Sequence, residues 1–163
     1  MNWDAITAIG ELAAAIAVII SLVYVGKQLS QNNRNQRIAA LQAHNEAFRE
    51  NLSLIAGHAD LWVTGLDNYP NLSAGENAEF SFQIHASFRH LEQAFLLNKE
   101  GVLSDDALDK SMRLICGLYF YPGCKIWWHS RKEYFDNEFR EKAETLFENL
   151  DLQKPLYGKV DDT

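Results

Sequence analysis

The sequence predicts an all-α protein: an N-terminal transmembrane helix leading into a long stalk helix and a small cytoplasmic helical bundle. Three observations carry that expectation. The stretch "AITAIGELAAAIAVIISLVYVGKQ", starting at Ala5, is apolar throughout except for Glu11. Every strong apolar pattern after it repeats with helical period, and no stretch alternates for long in the manner of a strand. The gaps between patterns hold Pro, Gly and residues that cap helices. These signals divide the chain into residues 1–26 as anchor, 27–66 as stalk, 67–152 as bundle and 153–163 as a flexible tail.

The anchor comes first. From Ala5 to Val25 runs a segment of about 20 residues, which at about 1.5 Å per residue matches a hydrocarbon core of about 30 Å. The alternative is a core helix of a soluble protein, which Thr7, Gly10, Glu11 and the alanines favour by lowering the local hydrophobicity. A cleaved signal peptide fits less well, because acidic Asp4 stands where a basic leader would be. The mean hydropathy of −0.24 for the whole chain does not oppose a single span, since the polar remainder dilutes it. Lys27, Arg34 and Arg37 follow the run with no acid before Glu46, which places the N-terminus outside and the rest in the cytoplasm. Trp3 and Tyr24 mark the two ends of the run, at headgroup depth.

Glu11 lies about two turns into that run, where an ionisable group is costly unless it reaches the headgroups, a partner helix or water. Two readings stand. In one, the side chain extends to the outer headgroups. In the other, Glu11, Val18 and Val25 repeat at seven and share a seam with Ala14 in a homo-oligomer. Gly10 with Ala14 and Ala13 with Ala17 are small residues at i, i+4, which allow close helix approach in lipid. Such a seam would set a ring of carboxylates at the mouth of a bundle or narrow pore.

The stalk follows. Ile38, Leu41, Asn45, Phe48, Leu52, Ile55, Ala59, Trp62 and Leu66 are spaced alternately three and four, the pattern of a coiled-coil seam. Packing of the same stripe inside one chain is the preferred reading, because few residues remain to cover it otherwise, and Gly57 with Asp60 marks a break. Asn45 is the polar seam residue that would select register. In the bundle, "NYPNLSAGE" is a loop, and Ser73 with Glu76 forms a capping box. Phe80, Ile84, Phe88, Leu91 and Phe95 line the helix it starts, which Gly101 stops. Ser104 caps the next helix, which Pro122 and Gly123 end. "CKIWWHSRKEYF" is a short helix or turn, and Asp136 caps a last helix carrying Phe139, Ala143, Leu146, Phe147 and Leu150.

The formal charge of −7 argues against nucleic acid as a partner, since a phosphate footprint needs a basic face. Cys116 and Cys124, with seven residues between them, lack the spacing of a zinc site and read as reduced thiols. No metal-binding helix motif, phosphate loop, dinucleotide glycine pattern or nucleophile elbow occurs, so the sequence implies no cofactor, no metal and no identifiable small-molecule substrate. His85, Arg89 and Glu92 share a helix face; the simplest explanation is an ion pair tying that helix to a neighbour, and an acid-base or anion site is the alternative. Adjacent Trp127 and Trp128 point about 100° apart on a helix, so one can fill the core while the other stacks under a partner helix or near the membrane surface; a core plug with an indole N–H bonded to a carbonyl is the preferred reading. Arg37 and His44 fit the spacing of the acid-base pair in HEPN ribonucleases, although Ile38 replaces the polar residue usual after the Arg.

Three segments, "MNWDAITAIGELAAAIAVIISLVYVGKQLSQN", "FRHLEQAFLLNKEGVLSDD" and "PGCKIWWHSRKEYFDNEFR", make most of the chain resemble a widespread group of small bacterial proteins usually labelled hypothetical. That group shares the opening, an Arg and Glu like Arg89 and Glu92, and a Pro-Gly-x-x-x-Trp-Trp like Pro122 to Trp128; the resemblance implies no activity. In layout the chain is also similar to small membrane accessory proteins of RNA-targeting CRISPR systems, which join a membrane helix to a helical HEPN-like domain and assemble into pores. The expectation is therefore a lipid-embedded homo-oligomer acting as a scaffold or pore-like assembly and not as an enzyme. A membrane-tethered HEPN-like accessory protein or enzyme using Arg37 with His44, or His85, Arg89 and Glu92, is the rival. A soluble helical protein with a buried first helix is the third reading.

Overall fold

The computed structural model describes residues 3–149, apart from the side chains of residues 5–8 and 13. Leu150 and the tail expected over 153–163 lie outside the described residues. Within them the chain is helical, and no strand occurs. Six α-helices follow in order: α1 (Trp3–Gly57), α2 (Ala59–Asn68), α3 (Ala74–Lys99), α4 (Asp105–Cys116), α5 (Pro122–Arg131) and α6 (Asn137–Asn149). Short 3-10 turns cover Tyr69–Asn71, Gly117–Phe120 and Lys132–Tyr134. The chain divides into two compact units, Met1–Ala40 and Leu41–Thr163.

The first unit holds the apolar part of α1. It contains an 18-residue window of mean hydropathy 2.2, none of it buried, so this helix is long and apolar enough to cross a membrane. Glu11, Ala14, Val18 and Val25 are all exposed within the chain, as are Leu12, Ile19, Leu22 and Tyr24.

The second unit begins earlier than the sequence boundary at 67, because the far half of the expected stalk packs into the bundle. It does so with a face shifted from the one the apolar pattern selects, keeping Leu41, Phe48 and Ile55 of that pattern but turning His44 and Asn51 inward. Asn45 and Leu52 are exposed, while His44 and Asn51 are buried and Phe48 and Ile55 half-buried. The reason lies on α3, which offers polar and aromatic partners. Asn51 Nδ2 donates to Ser87 Oγ at 3.0 Å, and His90 stacks on His44 at 3.8 Å and on Phe48 at 4.4 Å between centroids. Asn51, not Asn45, is therefore the polar residue that sets the register of this contact. The break expected near Gly57 falls at His58, whose backbone leaves the helix before α2 starts.

Each later boundary has a local cause. Ser73 and Glu76 cap α3 reciprocally, as the sequence predicts. Gly101, at φ +66°, ends it: Gly101 N–H donates to Asn98 O and Val102 N–H to Leu97 O, the Schellman arrangement that needs a left-handed residue. Ser104 Oγ accepts from Ala107 N–H at the start of α4, and Asp136 Oδ1 accepts from Glu138 and Phe139 N–H at the start of α6. The Pro122-Gly123 pair differs from expectation. The helix before it stops at Cys116 and a 3-10 turn, and Pro122 opens α5 at its first turn, where a missing N–H costs nothing.

Gly123 has a further role. A Cβ there would stand 2.0 Å from Gly65 O and 2.7 Å from Leu66 O, and one on Gly65 would stand 2.2 Å from the Phe80 ring. These two glycines let α2 and α5 meet backbone to backbone over Phe80. The core around them is aromatic, with Phe80, Phe88, Trp127, Trp128 and Phe139 almost wholly buried. Cys116 and Cys124 are both buried free thiols in it, and burial pushes both of their pKa values up.

Candidate functional site

The polar row on α3 is built around a buried carboxylate. Glu92 is buried, and its Oε1 accepts the Asp136 N–H at 2.7 Å, while its Oε2 pairs with Arg89. The Arg89 guanidinium also lies over the Phe135 ring, 5.2 Å from the centroid. Glu92 thereby ties α3 to the residue that caps α6. A carboxylate saturated by a backbone donor and a guanidinium is a fastener between elements, and both groups are already engaged.

His85 sits one turn earlier, against Phe135 at 5.3 Å and Trp127 at 5.9 Å between centroids. Burial, with Arg89 next in weight, lowers its pKa, so the imidazole is neutral at neutral pH. Beside it opens a cleft of about 420 Å³ between the N-terminal half of α3, the C-terminal half of α5 and the turn at Tyr134. Phe82, His85, Trp127, Arg131 and Tyr134 line it, with Asn77 and Ser81 on the α3 side. Asn77 Oδ1 and Ser81 Oγ meet the Tyr69 hydroxyl at 3.3 and 3.2 Å, which holds that wall in place.

The two adjacent tryptophans both belong to the core, so neither is left for a partner surface. Trp127 stacks on Phe88 at 5.6 Å and Trp128 on Phe135 at 5.5 Å. Trp128 Nε1–H donates to Glu144 Oε1 at 3.2 Å, and Lys132 Nζ reaches the same oxygen at 2.8 Å. The sequence allowed a second indole outside because it could not show α6 and Phe135 closing over that side. His129 is exposed.

Arg37 and His44 fall in different units. Arg37 is exposed, whereas His44 is buried in its stack with His90, with a pKa lowered by that burial. Its ring packs on α3. Among the described residues no group of three or more His, Cys, Asp or Glu is placed to hold a metal ion.

Several residues of the cleft carry a sequence signal that apolar periodicity passes over. Phe82 is two residues from both Phe80 and Ile84, so it falls on the opposite face of α3 from the core stripe, and it is 76% exposed. An aromatic on the polar face is the mark that was available. Arg131 and Tyr134 had none, because only the fold of α5 back onto α3 brings them to it. In comparisons with protein-family models, curated proteins and solved structures, nothing matches this chain.

Proposed function

We propose that this is a single-span bacterial inner-membrane protein that self-associates through its N-terminal helix and works as a scaffold or pore-like homo-oligomer. In this reading the N-terminus is outside and the bundle cytoplasmic. The observation that carries it is the apolar window of α1, of mean hydropathy 2.2, none of which is buried by its own chain. A core helix of a soluble protein would have most of such a window covered. So much exposed apolar surface needs lipid, another copy or both. Exposed Gly10, Ala14 and Ala17, with no atom within 4 Å of where a Gly10 Cβ would stand, leave room for close helix approach. Lys27, Arg34 and Arg37 support the orientation.

The test is carbonate extraction of membranes containing the full chain, followed by its mass in mild detergent beside a Glu11→Gln variant. Expected are a carbonate-resistant membrane fraction and a defined oligomer. Ion flux into liposomes that falls in the variant would identify Glu11 as a pore residue. Recovery in the soluble fraction would overturn the membrane reading, and a monomer in detergent and in crosslinked membranes would overturn self-association.

A further inference from the structure

Against the chain's formal charge of −7, the cleft beside His85 is an exception. No Asp or Glu is among the described residues that line it, and its only side chain with a fixed charge is Arg131. Arg131 makes no ion pair among the described residues, and its one hydrogen bond is a 3.5 Å contact to the neighbouring Ser130 O. The nearby cation Arg89 is held by Glu92, so its charge is matched. The free guanidinium therefore sets the sign of the site.

Shape and surface supply the second half. At about 420 Å³ the cleft is in the lower part of the range of small-molecule sites. Its rim carries two aromatic rings that the core does not use, Phe82 at 76% and Tyr134 at 63% exposed. The indole of Trp127 and the imidazole of His85 stand between α3 and α5 behind them. Trp127 Nε1–H is buried and has no acceptor among the described residues. Exposed aromatic faces stack on flat rings, and a guanidinium with unused donors takes a carboxylate through two parallel hydrogen bonds.

We propose that this cleft binds a small aromatic carboxylate, with its ring against Phe82 and Tyr134 and its carboxylate on Arg131. The site lies wholly in the second unit, so it stands apart from the membrane reading of α1. A cationic ligand would meet Arg131 unscreened by any acid of the lining, and an aliphatic acid would leave the two exposed rings without a stacking partner.

The experiment is calorimetric titration of the full chain in lipid nanodiscs, with empty nanodiscs as blank. The probes are benzoate, indole-3-carboxylate and the cation indole-3-methanamine. Expected is saturable one-site binding of at least one carboxylate, about tenfold tighter than the cation. Arg131→Gln is expected to erase that preference, and Phe82→Ser to weaken carboxylate binding about fivefold. Both residues are exposed, so an unchanged melting temperature separates lost contact from lost fold. Absence of saturable binding by both carboxylates, equal affinity for the cation, or wild-type affinity in Arg131→Gln would each overturn the proposal.

Discussion

The apolar part of α1 and the helix α3 have much the same material and opposite fates. Ile16, Val18, Ile19, Ile20, Leu22 and Val23 are each at least half exposed, whereas Phe80, Ile84, Phe88 and Leu91 on α3 are completely buried. The described apolar residues of this part of α1 are exposed on every side, whereas Phe80, Ile84, Phe88, Leu91 and Phe95 recur every three or four positions along α3 and form one buried stripe. A stripe can be satisfied by neighbouring helices of the same chain. An all-round apolar surface is not so satisfied, and under the proposed reading lipid, another copy or both cover it.

The largest expected effect breaks the comparison directly. Trp128→Ala removes an indole from a closed core and is expected to destabilise the bundle by about 4 kcal/mol, read from denaturant melts. Leu22→Ala, a truncation in the exposed part of α1, is expected to change the same transition by less than about 0.5 kcal/mol. Equal losses would mean that the two regions share one core.

Gly123→Ala sharpens the bundle side, since its methyl meets backbone oxygens of α2 that no rotamer change can move aside. About 3 kcal/mol of destabilisation is expected, at the upper end for overpacking, with α2 and α5 losing hydrogen-exchange protection first.

The His44–His90 stack predicts a pH response confined to the bundle. Burial is the main cause in both rings, and the nearby His44 adds to it for His90, whose pKa falls from 6.5 to about 4. Folding therefore favours the neutral rings. Their contribution is complete above about pH 6.5 and is lost as pH falls towards about 4, on the order of 3 kcal/mol for His90. Melts of wild type and His90→Phe across that window check it, and the variant is expected to lose His90's share of the decline between pH 6.5 and about 4 while keeping that of His44.

Within the bundle the smallest effect is at Gly101, where a Cβ meets no neighbour but φ is +66°. Gly101→Ala is expected to cost about 1 kcal/mol from backbone strain alone, measured by the same melts.

The sequence by itself determined the features that are local. The apolar run of α1, the Ser73–Glu76 box, the stop at Gly101 and the caps at Ser104 and Asp136 depend on residues within a few positions of one another. Their chemistry is complete in a short window. The ion pair of Arg89 with Glu92 was legible too, being one helical turn long. Tertiary structure alone decided which face of α1 is buried, because Ser87 and His90 make Asn51 and His44 better inward residues than Asn45 and Leu52. It decided that Gly123 is a contact and not a terminator, because the backbone it touches lies more than fifty residues earlier in the chain. It also buried both tryptophans and assembled the cleft at Arg131. These outcomes depend on what stands opposite a residue, and spacing along one helix carries no information about its neighbour.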